Sequence, residues 1–236
     1  MNSNLQNSLK GIQVILGSGS VWRKMIFEKI CSDFRIISPD IDEKDPNIRY
    51  KTSTKPENYE TEKLVYNIAS SKLDLIIQQI IQEFDNLETE NENENRKYLI
   101  VCADQVVDFK GVVREKPINE EQCFEFLSSY HGEENPIRTY TGICVAYISL
   151  TKGQTPEIVL ENDVDIATVV YKDEGIPKEV IKKVIQEGDV MTCCGGFVLE
   201  DKSLNPYVKR IEGEISSIEG LPILVTTKLM EKVLKK

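Results

Sequence analysis

The sequence predicts an α/β fold with a mixed, twisted sheet and flanking helices. Three observations predict it. Tyr98-Leu99-Ile100-Val101-Cys102 is a continuous apolar run of strand-forming residues, which reads as a fully buried strand. Gly11–Leu16 runs through the small-residue loop Gly17-Ser18-Gly19-Ser20 into a helical pattern at 22, 26, 27 and 30, the strand–loop–helix order of α/β proteins. A hairpin pattern with Lys110-Gly111 at its tip adds an antiparallel pairing, so the sheet is expected to be mixed.

The totals narrow the class. The chain has 236 residues, enough for one large domain or two small lobes. Its 29 basic and 39 acidic residues leave a formal net charge of −10, which argues against a binder of nucleic acid polymer. No run of eighteen apolar residues is present, so no membrane partner is expected, and the polar start lacks a signal-peptide apolar region. These features point to a soluble, cytoplasmic protein with residues 1–9 as a flexible N-terminus. The six cysteines, at 31, 102, 123, 144, 193 and 194, form no Cys-x-x-Cys pair, and His131 is the only histidine. Zinc sites and histidine-based triads therefore lack their parts. Any metal should be hard and oxygen-bound.

Taken in order, the helix after the first loop starts with free N–H groups and the positive end of its dipole, and Ser18 and Ser20 add hydroxyls. Arg23 and Lys24 place cations where the dipole favours an acid, which hints at an anionic ligand. Phe34–Ile37 suits a second short strand, followed by the acids Asp40, Asp42 and Glu43. Residues 44–58 are polar with two prolines and read as a mobile excursion. A helical stripe follows at Leu64, Val65, Ile68, Ala69, Lys72, Leu75, Ile76 and Ile80, with Lys72 either snorkelling to solvent or aimed at an anion. Residues 85–97 form an acidic, low-complexity loop expected to be disordered. The central strand ends on Asp104, where open α/β sheets place their ligand crevices. Glu115-Lys116-Pro117 holds a cation beside a rigid turn. Asn119 caps a helix through Leu127. Long strands are expected at 138–148 and 158–170, the second an antiparallel neighbour of the first. A helix opens at Gly175-Ile176-Pro177, Gly195-Gly196 marks close backbone approach or positive φ, 211–222 reads as turn-rich, and a helix spans 223–234.

Five short motifs in order carry a family resemblance: Leu16–Lys24; Asp42-Glu43; Leu64–Lys72; Ala103-Asp104-Gln105-Val106 through Glu115-Lys116-Pro117; and Tyr140-Thr141-Gly142 leading to the glycine stretch and Gly220-Leu221-Pro222. Together they resemble the Maf (septum-formation-like) family of nucleotide pyrophosphatases. The resemblance implies a single domain over 10–236, with 85–97 as an insertion, and two lobes around a nucleotide cleft, like the inosine triphosphatases. It implies hydrolysis of a nucleoside triphosphate to monophosphate and pyrophosphate with a divalent cation, Mg²⁺ or Mn²⁺. The partner is then a small-molecule nucleotide, with a homodimer as an open assembly.

The same resemblance implies roles. Asp104 resembles the general base and a metal ligand, and Glu43 a second metal carboxylate. Arg23, Lys72 and Lys116 resemble a phosphate clamp, with Ser18, Ser20 and Lys24 contributing to substrate binding. Trp22, Gln105, Cys193, Phe197 and Glu200 resemble the subgroup that prefers 7-methyl-GTP. Gln105, Cys193, Phe197 and Glu200 depart from the pattern of many members, which read Asp-Thr-Val at 104–106 and Lys-Ala-Gly-x-Tyr and then Gln at 193–197 and 200; Lys24 for an arginine, Gly17 for an alanine and Val21 for a proline depart as well. The alternatives are a dTTP/UTP pyrophosphatase or a catalytically weak nucleotide-binding regulatory protein.

Overall fold

The computed structural model of the protein describes residues 3–51, 60–87 and 94–235. In chain order the elements are α1 (Ser3–Ser8), β1 (Gln13–Gly17), α2 (Val21–Phe27), β2 (Arg35–Ile36), α3 (Pro46–Arg49), α4 (Thr61–Asp85), β3 (Asn95–Phe109), β4 (Val112–Arg114), α5 (Glu120–Ser129), β5 (Ile137–Thr151), β6 (Glu157–Tyr171), α6 (Lys178–Glu187), β7 (Val208–Glu212), α7 (Ile215–Ile218) and α8 (Ile223–Val233). Among the described residues the strands form one seven-stranded sheet in the order β2-β1-β3-β5-β6-β7, with β4 on β3. It is mixed: β1 pairs parallel with β2 and β3, whereas β3–β4 and β6–β7 are antiparallel.

The chain divides into two compact units. The first comprises Met1–Asp104, Gly142–Val164 and Ile223–Lys236; the second comprises Gln105–Thr141 and Asp165–Pro222. In the first unit, β3 lies between β1 and β5, and Leu99 through Ala103 are fully buried. The apolar run is thus the central strand, as its lack of alternation predicts. Period two still sorts its faces: Tyr98, Ile100 and Cys102 join Cys144, Ala146, Ile148 and Leu150 of β5 under α4. The helix supplies Ala69, Leu73, Ile76, Ile77, Ile80 and Phe84 to this core. The sequence places Leu75 on that stripe. The helix instead buries Leu73, four residues after Ala69 and four before Ile77, and leaves Leu75 outward.

Two glycines fix how closely this layer packs. A Cβ on Gly142 of β5 would lie 2.6 Å from the Val65 carbonyl carbon, 2.7 Å from its oxygen and 2.8 Å from the Tyr66 nitrogen. The strand therefore runs directly against the backbone of α4. A Cβ on Gly17 would collide with Cys102 Sγ and lie 2.6 Å from Ile76 Cδ1. The cysteine and isoleucine occupy the space that an alanine methyl at this position would need. Gly17→Ala is expected to cost about 1–3 kcal/mol through overpacking. Adding Cys102→Ala is expected to return part of that loss. A double-mutant cycle by thermal unfolding checks it, and strictly additive losses would show that the two sites do not share space.

Residues 3–9 of the expected flexible N-terminus are described, while 1–2 lie outside the described residues. In place of a flexible N-terminus, Ser3–Ser8 is helical, Leu5 and Leu9 are buried, and Gln6 Nε2 donates to Ile30 O at 2.9 Å. Two spaced leucines suffice to dock so short a segment. The expected acidic loop is narrower than 85–97: Asp85 closes α4 and Asn95–Lys97 open β3, while 88–93 lie outside the described residues. Of the expected excursion at 44–58, Asp45 caps the short α3, and 52–58 likewise lie outside.

In the second unit, β3 turns into β4 with Val107 opposite Arg114 and Phe109 opposite Val112. Lys110 (φ 57°) and Gly111 (φ 78°) are both left-handed, the two-residue hairpin geometry that matches strand twist. Asp108 Oδ1 accepts from Gly111 N at 3.1 Å and secures the turn. The Asn119 side chain accepts from Gln122 N at 2.8 Å, so the predicted cap starts α5. The predicted turn-rich stretch contains the end of a strand that sequence reading missed, β7. Its charged Lys209, Arg210 and Glu212 suit a strand at the end of the sheet order and mask the apolar signal. The unit's centre is aromatic. Tyr130 stacks on Tyr171 (centroids 5.8 Å) and meets Phe109 and Phe197 edge-on (5.4 and 6.1 Å).

Among the described residues no helix is long and apolar enough to cross a membrane. All six cysteines are free thiols, and Cys31, Cys102, Cys123 and Cys144 are buried. These four serve as small core side chains.

Candidate active site

The first unit gathers eight of the predicted residues. β1 ends at Gly17 and the chain turns through Ser18 and Ser20 into α2. Ser18 Oγ accepts from Ser20 N (3.2 Å), and Ser20 Oγ accepts from Arg23 N (3.4 Å) as the helix N-cap. Each hydroxyl is used here as an acceptor and keeps its proton to donate to an anion. Trp22 and Arg23 are half-buried. The Arg23 charge acts on both Asp104 and Cys102. Lys24 points outward, 3.9 Å from Glu28 one turn along the helix. The second cation of the motif thus lies on the solvent face, where a lysine in place of the family arginine is easily tolerated.

Lys72 is the hinge of this set. Its Nζ lies 2.6 Å from Glu43 Oε1 and 2.7 Å from Asp104 Oδ1, and the side chain is only 8% exposed. The sequence leaves two fates for this lysine, snorkelling or facing an anion. The structure selects the second, with two carboxylates as the anions. Its place on α4 explains the geometry: Lys72 sits on the buried stripe between Ala69 and Ile76, which packs over β3. An ammonium has three donors, so two carboxylates leave one for a phosphate oxygen.

Asp104 closes the buried run of β3 and is itself 5% exposed. Burial raises its carboxyl above the ordinary carboxylate range; Lys72 and Arg23 pull it back down, and Glu43 pushes it up again. A carboxylate held in this balance is a stronger base than one in water. The donor set also fits a hard cation. Glu43 and Asp104 converge on a single positive centre, and both offer oxygen. Among the described residues no group of three or more acid, histidine or cysteine side chains is arranged to hold a metal ion by itself. Two carboxylates are what Mg²⁺ or Mn²⁺ takes from a protein when phosphate oxygens and water supply the rest.

The second unit holds the remaining predicted residues. Lys116 is exposed and follows Glu115, whose carbonyl accepts from Gly195 N at 3.1 Å. Cys193 is half-buried, its thiol raised by burial, hydrogen-bonded to Thr192 and within electrostatic reach of both Lys116 and Glu200. Glu200 is exposed. Two residues depart from a direct substrate role. Phe197 is 5% exposed, with its ring packed edge-on against Tyr130 and Tyr171. It belongs to the aromatic core rather than to a stacking surface. The Gln105 amide nitrogen donates to Ser217 O (2.5 Å), Ile218 O (3.2 Å) and Thr141 Oγ1 (3.1 Å), so this group secures α7.

Sequence reading missed Arg114 and Tyr130 altogether. The Arg114 guanidinium lies 4.1–5.0 Å from the ring centroids of Phe109, Phe126 and Tyr130, and its Nη1 donates to Ser129 Oγ at 2.8 Å. Neither residue belongs to a recognisable motif, and only the fold brings their partners together.

Comparisons with known proteins identify the family. The family described as Maf-like protein matches residues 13–233. The chain is 36% identical over 220 residues to the 7-methyl-GTP pyrophosphatase of Dictyostelium discoideum, covering 93% of this chain and 96% of that protein. It is 28% identical to the dTTP/UTP pyrophosphatase of Clostridium perfringens, over 93% of this chain and 96% of that protein. It is also 28% identical to the nucleoside triphosphate pyrophosphatase of Chlamydia muridarum, over 93% of each. A match from β1 to the end of α8, around a buried carboxylate paired to a lysine, places the chain in the Maf-like protein family.

Proposed function

We propose that the protein is a metal-dependent nucleoside triphosphate pyrophosphatase that prefers 7-methyl-GTP. The observation that carries this reading is the buried Asp104, held by Lys72 and facing Glu43. Asp104 takes the proton of the attacking water, and its burial gives it the basicity to do so. Lys72 keeps its contact with Glu43 as Asp104 is protonated, and its third N–H steadies a phosphate oxygen. Arg23 and Lys116 neutralise charge on the phosphates, and the Ser18 and Ser20 hydroxyls donate to the same group. Glu43 and Asp104 would hold the divalent cation, which when bound supplies charge neutralisation and orients phosphate and water.

Base choice follows from charge. Methylation at N7 makes guanine cationic, so the Glu200 carboxylate gains attraction as well as hydrogen bonds from the ring N–H and amino group. A pyrimidine carbonyl on that edge would set acceptor against acceptor. The half-buried Trp22 is assigned to stack on the cationic base. The dTTP/UTP pyrophosphatase reading remains the alternative, since relatives at 28% identity carry that name.

Pyrophosphate release over a nucleotide panel with Mg²⁺ or Mn²⁺ tests both levels. Hydrolysis is expected for 7-methyl-GTP ahead of dTTP and UTP, to vanish in excess chelator, and to lose its base preference in Glu200→Gln. No release from any nucleotide would overturn the pyrophosphatase reading. A preference for dTTP would overturn only the base assignment.

A further inference from the structure

The Cys193–Phe197 segment is tied down at points that converge on one residue, Gly195. Gly195 N donates to Glu115 O at 3.1 Å, and Gly195 O accepts from the Tyr130 hydroxyl at 2.7 Å. Gly195 and Gly196 both have left-handed backbone (φ 72° and 70°), which turns the Gly195 carbonyl inward to the phenol. A Cβ on Gly195 would lie 2.9 Å from Val107 Cγ2 and 3.1 Å from the Tyr130 oxygen, so no bulkier residue fits. Beside it, Cys194 Sγ donates to Gln105 O at 3.1 Å.

Gly195 joins two functional stretches. One side is bonded to the residue before Lys116. The other leads by chain through Phe197 to Glu200. Tyr130 grips the stretch between them, through its hydroxyl on Gly195 and its ring on Phe197. The ring is completely buried, stacked on Tyr171 and faced by Arg114. Burial pushes the phenol up to about 12, opposed by Arg114, so the hydroxyl stays a donor across the working pH range.

We propose that Tyr130 is a positioning residue for substrate selection, which fixes the Gly195 carbonyl and thereby sets Glu200 in register with Lys116. The proposal rests on the assignment of Lys116 to phosphate and Glu200 to base. Tyr130 touches neither. It works by holding Gly195, the residue that links them.

Tyr130→Phe keeps the ring and its aromatic contacts and removes only the donor, leaving the Gly195 carbonyl unpaired in the core. The test is the ratio of kcat/KM for 7-methyl-GTP and dTTP in four proteins: wild type, Tyr130→Phe, Glu200→Gln and the double variant. Tyr130→Phe is expected to lower the ratio roughly fivefold to tenfold, the size of one lost buried hydrogen bond. The loss should fall on KM for 7-methyl-GTP, with kcat kept within about twofold. In the Glu200→Gln background the same change should leave the ratio unmoved, because the group it positions is gone. A ratio unaltered by Tyr130→Phe, or lowered equally in both backgrounds, overturns the proposal while the base assignment stands. A wild-type ratio near one overturns the base assignment, and the proposal with it.

Discussion

Asp104→Asn is expected to cut turnover by about a thousandfold while the protein stays folded. General-base catalysis is worth about 10²- to 10⁴-fold, and an amide cannot take a proton from water. The amide also withdraws the negative charge that a divalent cation would need at this point, which moves the loss toward the upper end of that range. The fold should tolerate the change. An asparagine oxygen can still accept from Lys72 Nζ, now 2.7 Å from the carboxylate. The folded carboxyl titrates above its unfolded value, so ionising it costs the native state stability as the pH rises through that range. An uncharged side chain avoids that cost. Steady-state turnover, thermal unfolding and equilibrium binding of a non-hydrolysable nucleotide read the three parts separately. Turnover within a few fold of wild type would remove Asp104 from the chemistry.

Gly142→Ala is expected to destabilise the protein by about 3 kcal/mol, at the top of the usual range for overpacking. The reason is what the new methyl would meet. Its neighbours are the carbonyl and amide of α4, not a side chain that can swing aside, and the nearest is 2.6 Å away. The helix must lift from the sheet or the strand must bow. For a chain of this length the loss corresponds to a fall in Tm of roughly 6–12 °C. Turnover should fall as well. Lys72 lies seven residues after Val65, two helical turns along, so a tilt of α4 at Val65 shifts the ammonium against Asp104. Differential scanning calorimetry with activity measured below the transition checks both. An unchanged Tm would mean that the strand–helix contact is looser than described.

Local chemistry was legible in the sequence, and distant pairing was not. The buried run of β3 up to Ala103, the hairpin tip at Lys110-Gly111 and the cap at Asn119 each depend on a few consecutive residues. Such signals survive in one dimension. The end of the strand, by contrast, was misplaced: β3 does not stop at Asp104 but runs through it to Phe109, where it pairs with β4. The partners of Lys72 are a different matter: Asp104 lies 32 residues on, and no periodicity links the two. The Gln105 amide goes to carbonyls more than a hundred residues away, so its commitment to α7 could not be read from the Asp-Gln-Val motif. Phe197 was assigned to substrate through its resemblance to the 7-methyl-GTP-preferring subgroup, which does not show where the ring packs. The two glycines before it bring its ring down onto Tyr130. The strand β7 escaped because its charges hide the apolar alternation.

The shared space at Gly17 and Cys102 makes the order of change matter. Alanine at 17 with cysteine at 102 is crowded against Cys102 and Ile76, and glycine at 17 with alanine at 102 is underfilled, but only the crowded single variant forces packed atoms apart. A route from this sequence to one with alanine at 17 is therefore smoother when position 102 shrinks first. Libraries that vary one site at a time would score Gly17→Ala as harmful and miss the combination, so the two codons should be randomised together.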